Sequence, residues 1–391
     1  MSLTIDTSTD GPLPESGGVS TVEVTIESNA KSLSTTRHVS LLVDASWSMD
    51  GEKIEQARTG AERVLDELKD DDYVSLVVFR GGVDVILPMT RWGDADQSEV
   101  YNDVTGSDRG RYDGKLDASG GTNIPNALEA AKDQFTTVNT SESATKELIV
   151  LSDGQDPREE GVYEQLASEL ADLGVSISAA GIGSYNADTM LTLSRESGGE
   201  SYNLDNADEI ETFLKKRIIE AGKVVAPNPV VELEMADRFW LNTDDEVYFT
   251  KPQAQAKTIE ETPNGGRFEI PRIAANKQLQ FSFEARASRK QTGPEYDMLD
   301  LTVMNNGPIA ETSVSIKYEE DPPSKTSITK RRDSAKVVCD FTDTDGVKIE
   351  DAIDELEKEG MTKKARQIEK QLKESGKIGV SKLLAEDGKD S

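Results

Sequence analysis

The stretch Val39-Ser40-Leu41-Leu42-Val43-Asp44-Ala45-Ser46-Trp47-Ser48 decides how this chain is read. The run from Val39 to Val43 has the apolar character of a strand buried on both faces. A carboxylate and two hydroxyls follow at alternating positions. Just past a buried strand, Asp44, Ser46 and Ser48 can turn toward one point. Small hard oxygens of mixed charge suit Mg²⁺, which keeps several waters and needs few protein ligands.

Downstream of this motif, helical and strand patterns alternate. Ile54, Ala57, Ala61, Val64, Leu65 and Leu68 recur at helical spacing. Tyr73–Phe79 and Val83–Leu87 read as two strands joined at Gly81-Gly82, a hairpin signal. Helix Ile124–Phe135, strand Leu148–Leu151, helix Glu160–Leu173, strand Val175–Ala180, helix Ala187–Arg195, strand Ser201–Leu204 and helix Ala207–Ala221 follow. This alternation predicts a doubly wound α/β sheet, whose ligands bind beyond the carboxyl ends of the strands. Two further segments fall on that edge. Thr122 lies in Ser119-Gly120-Gly121-Thr122-Asn123, just before a helix, and Asp153 ends the strand Leu148–Leu151.

Together the three segments resemble the metal-ion-dependent adhesion site of von Willebrand factor type A (VWA) domains. Ala180-Gly181-Ile182-Gly183 and Ser197-Gly198-Gly199-Glu200-Ser201-Tyr202 resemble parts of prokaryotic members. The whole layout is similar to bacterial and archaeal proteins often labelled calcium-activated chloride channel-like. The resemblance implies that Asp44, Ser46, Ser48, Thr122 and Asp153 surround a divalent ion, Mg²⁺ or else Mn²⁺ or Ca²⁺, directly or through water. It also implies that the ion takes a carboxylate from a partner's Asp or Glu.

Two departures bear on partner choice. Trp47 stands where small residues are common in the family. It is either an exposed contact or packed inward under the site. Gly106 to Ser119, with Arg109 and Tyr112, is longer than the family usually shows. It either overhangs the site or is a solvated loop. Trp47, Asn123, Arg109 and Tyr112 are the candidate partner-facing residues.

Beyond Val224 the pattern alternates in the strand manner through Tyr318, which predicts an antiparallel β-sandwich. Strand Val19–Ile26 has no place in the α/β sheet and is expected to join that sandwich. The predicted organisation is therefore sandwich strands in 1–36, the α/β domain in 37–221 and the sandwich in 222–320. A linker is expected over 321–345 and a helical hairpin with a tail over 346–391. The fold class is α/β, a Rossmann-like domain inserted into a β-sandwich.

Charge and composition narrow the function. With 44 basic and 74 acidic residues the net charge is −30, so a broad electrostatic footprint for nucleic acid or an anionic membrane is excluded. The acidity suits either a salt-loving source or a highly soluble cytosolic surface. Cys339 is the one cysteine, so no intramolecular disulfide forms. Met1 to Asp10 lacks a signal pattern and no apolar run is long enough to span a membrane, so the expected location is cytoplasmic. Asp343-Thr344-Asp345-Gly346 fails as an EF-hand, because Phe341 and Ala352 fall at ligand positions. Neither a nucleophile with its base nor a second metal site is visible. The expectation is a non-enzymatic, metal-dependent protein-binding module. The alternative is a substrate adaptor for an AAA+ ATPase of the MoxR type, or a member of a kinase and phosphatase signalling cluster.

Overall fold

The computed structural model describes residues 3–28, 36–106, 115–138, 144–153, 160–183, 185–204, 206–241, 246–252, 254–322 and 327–343. Contacts divide the chain into two units. One is residues 32–227, and the other joins residues 1–31 to 228–391.

The 32–227 unit holds a six-stranded sheet. Its order is Val83–Arg91, Tyr73–Phe79, Arg37–Asp44, Thr145–Ser152, Val175–Ile182 and Ser201–Leu204. All neighbours are parallel except the Tyr73–Phe79 and Val83–Arg91 hairpin. Every residue of Arg37–Asp44 and of Val175–Ile182 is buried, as continuous apolar strands between helices require. The chain builds outward from Arg37–Asp44 on one side, then returns to its other side at Thr145–Ser152. Chain order therefore reverses between these two strands, which is where a doubly wound sheet opens a crevice.

Helix Glu52–Asp66 buries Ile54, Ala57, Ala61, Val64 and Leu65, the face expected from their spacing. It packs on helix Asp208–Ala221 at Gly60, where a Cβ would lie 2.6 Å from Leu214 Cδ1 and 3.3 Å from Glu211 Cα. Helix Gln97–Thr105 escaped the sequence pattern, since only Val100 and Val104 of its nine residues are buried.

The other unit contains two antiparallel sheets. Strand Gly18–Ser28 lies between Leu3–Thr9 and Gln278–Ala287 in one. Val230–Met235, Glu295–Met304 and Pro308–Glu319 neighbour one another in the second. Phe268 of the second sheet meets Phe281 of the first edge-to-face, ring centres 5.4 Å apart, so the two inner faces share a core. Leu13–Pro14 adds a short parallel pairing to Pro308–Glu319.

One correction concerns the linker expected over 321–345. Helix Ser327–Asp343 occupies most of it. Ala335 and Cys339 are buried there, while Arg331 pairs with Glu23 at 2.7 Å and Arg332 with Glu284 at 2.9 Å. So narrow an apolar stripe reads as polar in sequence, and ion pairs hold much of the remaining contact. The helical hairpin expected over 346–391 lies outside the described residues. Among the described residues no helix is long and apolar enough to cross a membrane.

Candidate metal centre

Asp44 ends its strand with its side chain shut away from solvent. Parallel pairing sets Val43 beside Leu151, so Asp44 and Ser152 follow as the last residues of adjacent strands. Asp44 Oδ2 accepts from Ser152 Oγ at 2.6 Å, and Oδ1 accepts from the Ser46 N–H at 2.8 Å. Burial pushes the Asp44 carboxyl above its ordinary value. The two serines pull it back, and the nearby Asp153 charge adds to the rise.

The cluster continues beyond Asp44. Ser46 Oγ and Ser48 Oγ are 3.0 Å apart, and Ser48 Oγ donates to Asp153 Oδ1 at 2.7 Å. Hydrogen bonds thus run unbroken from Ser152 through Asp44, Ser46 and Ser48 to Asp153. The other Asp153 oxygen takes the Lys53 ammonium, which also donates to the Ser48 carbonyl at 3.2 Å.

The Thr122 loop is tied alongside by backbone bonds. Ser119 N–H donates to the Ala45 carbonyl at 2.7 Å, and Trp47 N–H to the Gly120 carbonyl at 3.1 Å. Gly120 makes the turn in the left-handed region, φ +70°, where an L side chain is strained. Thr122 itself is half-buried. Two arginines hold the segment leading in. Arg58 donates twice to the Leu116 carbonyl, at 3.0 and 2.8 Å, and Arg80 donates to the Asp117 carbonyl at 2.7 Å.

Of the candidate partner-facing residues, Trp47 is 66% exposed, so its ring points outward beside the hydroxyls. Asn123 is a helix cap, its carboxamide oxygen accepting from Asn126 N–H at 3.3 Å. Arg109 and Tyr112 lie outside the described residues. Sequence reasoning missed Ser152, Lys53, Arg58 and Arg80. Only Arg58 left a signal, a charge on the apolar face of its helix.

The donor set fits a small hard cation. It offers two carboxylates, one fully buried and one nearly so, with hydroxyls from the same and an adjoining loop. Among the described residues no cluster of three or more His, Cys, Asp or Glu forms. The hydrogen bonds bring Asp44, Ser46, Ser48 and Asp153 together, while Thr122 lies on the loop that backbone bonds tie alongside.

Comparison with known proteins agrees with this geometry at the level of fold. The family model of the von Willebrand factor type A domain matches residues 38–216. An uncharacterized protein of Synechocystis sp. is 24% identical over 242 residues, covering 60% of this chain and 52% of its own length. Inter-alpha-trypsin inhibitor heavy chain H3 of Bos taurus is 30% identical over 129 residues, 30% of this chain and 13% of that one. The chain thus spans about half the length of the first relative and far less of the second. Among solved structures, a von Willebrand factor type A protein from Catenulispora acidiphila shares the fold with a TM-score of 0.73 at 16% identity. The match covers 94% of this chain and 89% of that one. The ArnB paralog VWA2 from Sulfolobus acidocaldarius gives a TM-score of 0.59 at 16% identity, covering 99% and 97%. Residues 38–216 of this chain match the von Willebrand factor type A domain model and have its Rossmann-like α/β fold.

Proposed function

We propose that the domain is a divalent-metal-dependent protein-binding module, with Asp44, Ser46, Ser48, Thr122 and Asp153 as its metal-ion-dependent adhesion site. The observation that carries this reading is the hydrogen-bonded chain from Ser152 to Asp153, which gathers two buried carboxylates and the hydroxyls of Ser152, Ser46 and Ser48 at the switch point. A bound Mg²⁺ would supply an open coordination position for an Asp or Glu carboxylate of the partner. Two carboxylates and a few hydroxyls do not fill the coordination sphere of such a cation, so a water-held position is left that an incoming carboxylate can take. Trp47 stands exposed beside them as an amphipathic anchor. The module acts by binding and not by catalysis, at a cytoplasmic location.

Calorimetry of Mg²⁺ on the full chain and on Asp44→Ala tests the site. The wild type should bind, and the variant should lose binding while keeping its far-ultraviolet circular dichroism. Linkage makes metal and partner raise each other's affinity by one factor. A partner captured equally well in excess chelator and by Asp44→Ala would sink the reading.

A further inference from the structure

Asp153 already has a cation of its own. Its side chain is 1% exposed and its two oxygens are engaged separately, one by the Ser48 hydroxyl and one by the Lys53 ammonium. Lys53 is the second residue of helix Glu52–Asp66, directly after the Asp44 loop. Its ammonium also donates to the Ser48 carbonyl, so it is tethered to the loop whose charge it offsets. A buried carboxylate left without a partner is costly, and this contact removes that cost without any other cation. At the same time Lys53 keeps a third of its side chain in solvent. A hydrated ammonium on a flexible four-carbon stem gives up such a contact cheaply.

We propose that Lys53 is a tethered counter-ion that competes with the divalent ion for Asp153 and thereby sets the affinity of the site. The inference rests on the metal-site reading above. Without the divalent ion, Lys53 neutralises Asp153 and holds the loop in its ligand-ready shape. With the ion bound, two positive groups meet at one carboxylate, and Lys53 turns out to water. The ion affinity of the free domain is therefore lower than its donor set alone would give. A partner's carboxylate makes good the difference, so loading is biased toward the partner-bound state.

The test uses the full chain as wild type, Lys53→Met, Lys53→Gln and Lys53→Arg. Mg²⁺ and Mn²⁺ binding is measured by calorimetry, and thermal midpoints are measured in chelator and in saturating Mg²⁺. Both neutral variants should bind about tenfold tighter, as removing a like charge from a cation site requires, while Lys53→Arg stays close to wild type. In chelator the neutral variants should melt lower than wild type, and saturating Mg²⁺ should close most of that gap. Unchanged or weaker binding by the neutral variants, beside a wild type that binds, overturns the role of Lys53 and leaves the site standing. A midpoint loss equal in chelator and in Mg²⁺ also overturns it, because Lys53 would then only support the fold. Absence of binding by wild type and neutral variants alike overturns the metal site and this inference together.

Discussion

Ser152 Oγ donates to Asp44 Oδ2 at 2.6 Å, joining the carboxyl ends of the two strands between which chain order reverses. The bond spans the crevice floor and aims the first carboxylate of the site. Both side chains are fully buried, so nothing from solvent replaces either partner.

Ser152→Ala should therefore lower stability by about 1–3 kcal/mol, the range for a buried hydrogen bond to a charged group. It should also weaken Mg²⁺ binding, since Asp44 loses one of the bonds that lower its carboxyl pKa. Urea unfolding and calorimetry check the two effects. Full retention of both would show that Asp44 is held by the Ser46 N–H alone.

At the opposite end of the same strand, His38 stacks on Tyr73 with ring centres 4.6 Å apart, and its Nδ1 has no hydrogen-bond partner among the described residues. Burial first, and then the charge of Lys146, lower its pKa to about 4 against the opposing charge of Asp72. The unfolded chain keeps the ordinary value of 6.5. Between these values the unfolded state binds more protons, so stability is full above 6.5 and falls as pH drops toward 4. His38→Phe keeps the stacking and removes the proton. Comparing urea midpoints at about pH 7 and about pH 5 should show a smaller loss in the variant. Equal losses would place the acid sensitivity elsewhere.

Gly60→Ala should destabilise the domain, although alanine is the better helix former by about 1 kcal/mol. The added Cβ would meet Leu214 Cδ1 at 2.6 Å and the Glu211 backbone at 3.3 Å. Leu214 is fully buried and has little room to turn aside. Overpacking costs about 1–3 kcal/mol, which outweighs the propensity gain. A thermal midpoint at or above wild type would mean that the two helices separate easily.

Strand Gly18–Ser28 pairs along its length with Gln278–Ala287, and its Val22, Val24 and Ile26 are fully buried. We expect removal of residues 1–28 to strip hydrogen-exchange protection from strands within 230–319. The α/β strands should keep theirs, as two independently folding units require. Uniform loss across both regions would show one cooperative unit.

The candidate donors stood out in the sequence because they sit where the pattern changes: Asp44 ends an apolar strand, Asp153 follows one, and Thr122 precedes a helix. The exposure of Trp47 was not legible. An amphipathic ring suits either side of a loop, and only the fold shows Trp47 exposed. Helix Ser327–Asp343 was hidden because its buried stripe is narrow and its arginines find acidic partners distant in sequence.

The sequence by itself determined the alternation of strand and helix, the doubly wound class and which residues are candidate oxygen donors. Those follow from local periodicity and from residue type at strand ends. Only the tertiary structure decided that Ser152 aims Asp44 and that Arg58 and Arg80 anchor the Thr122 approach. It alone brought Lys53 to Asp153, one hundred residues away in the chain. These contacts depend on the order in which strands enter the sheet, and strand order is set by how whole faces pack.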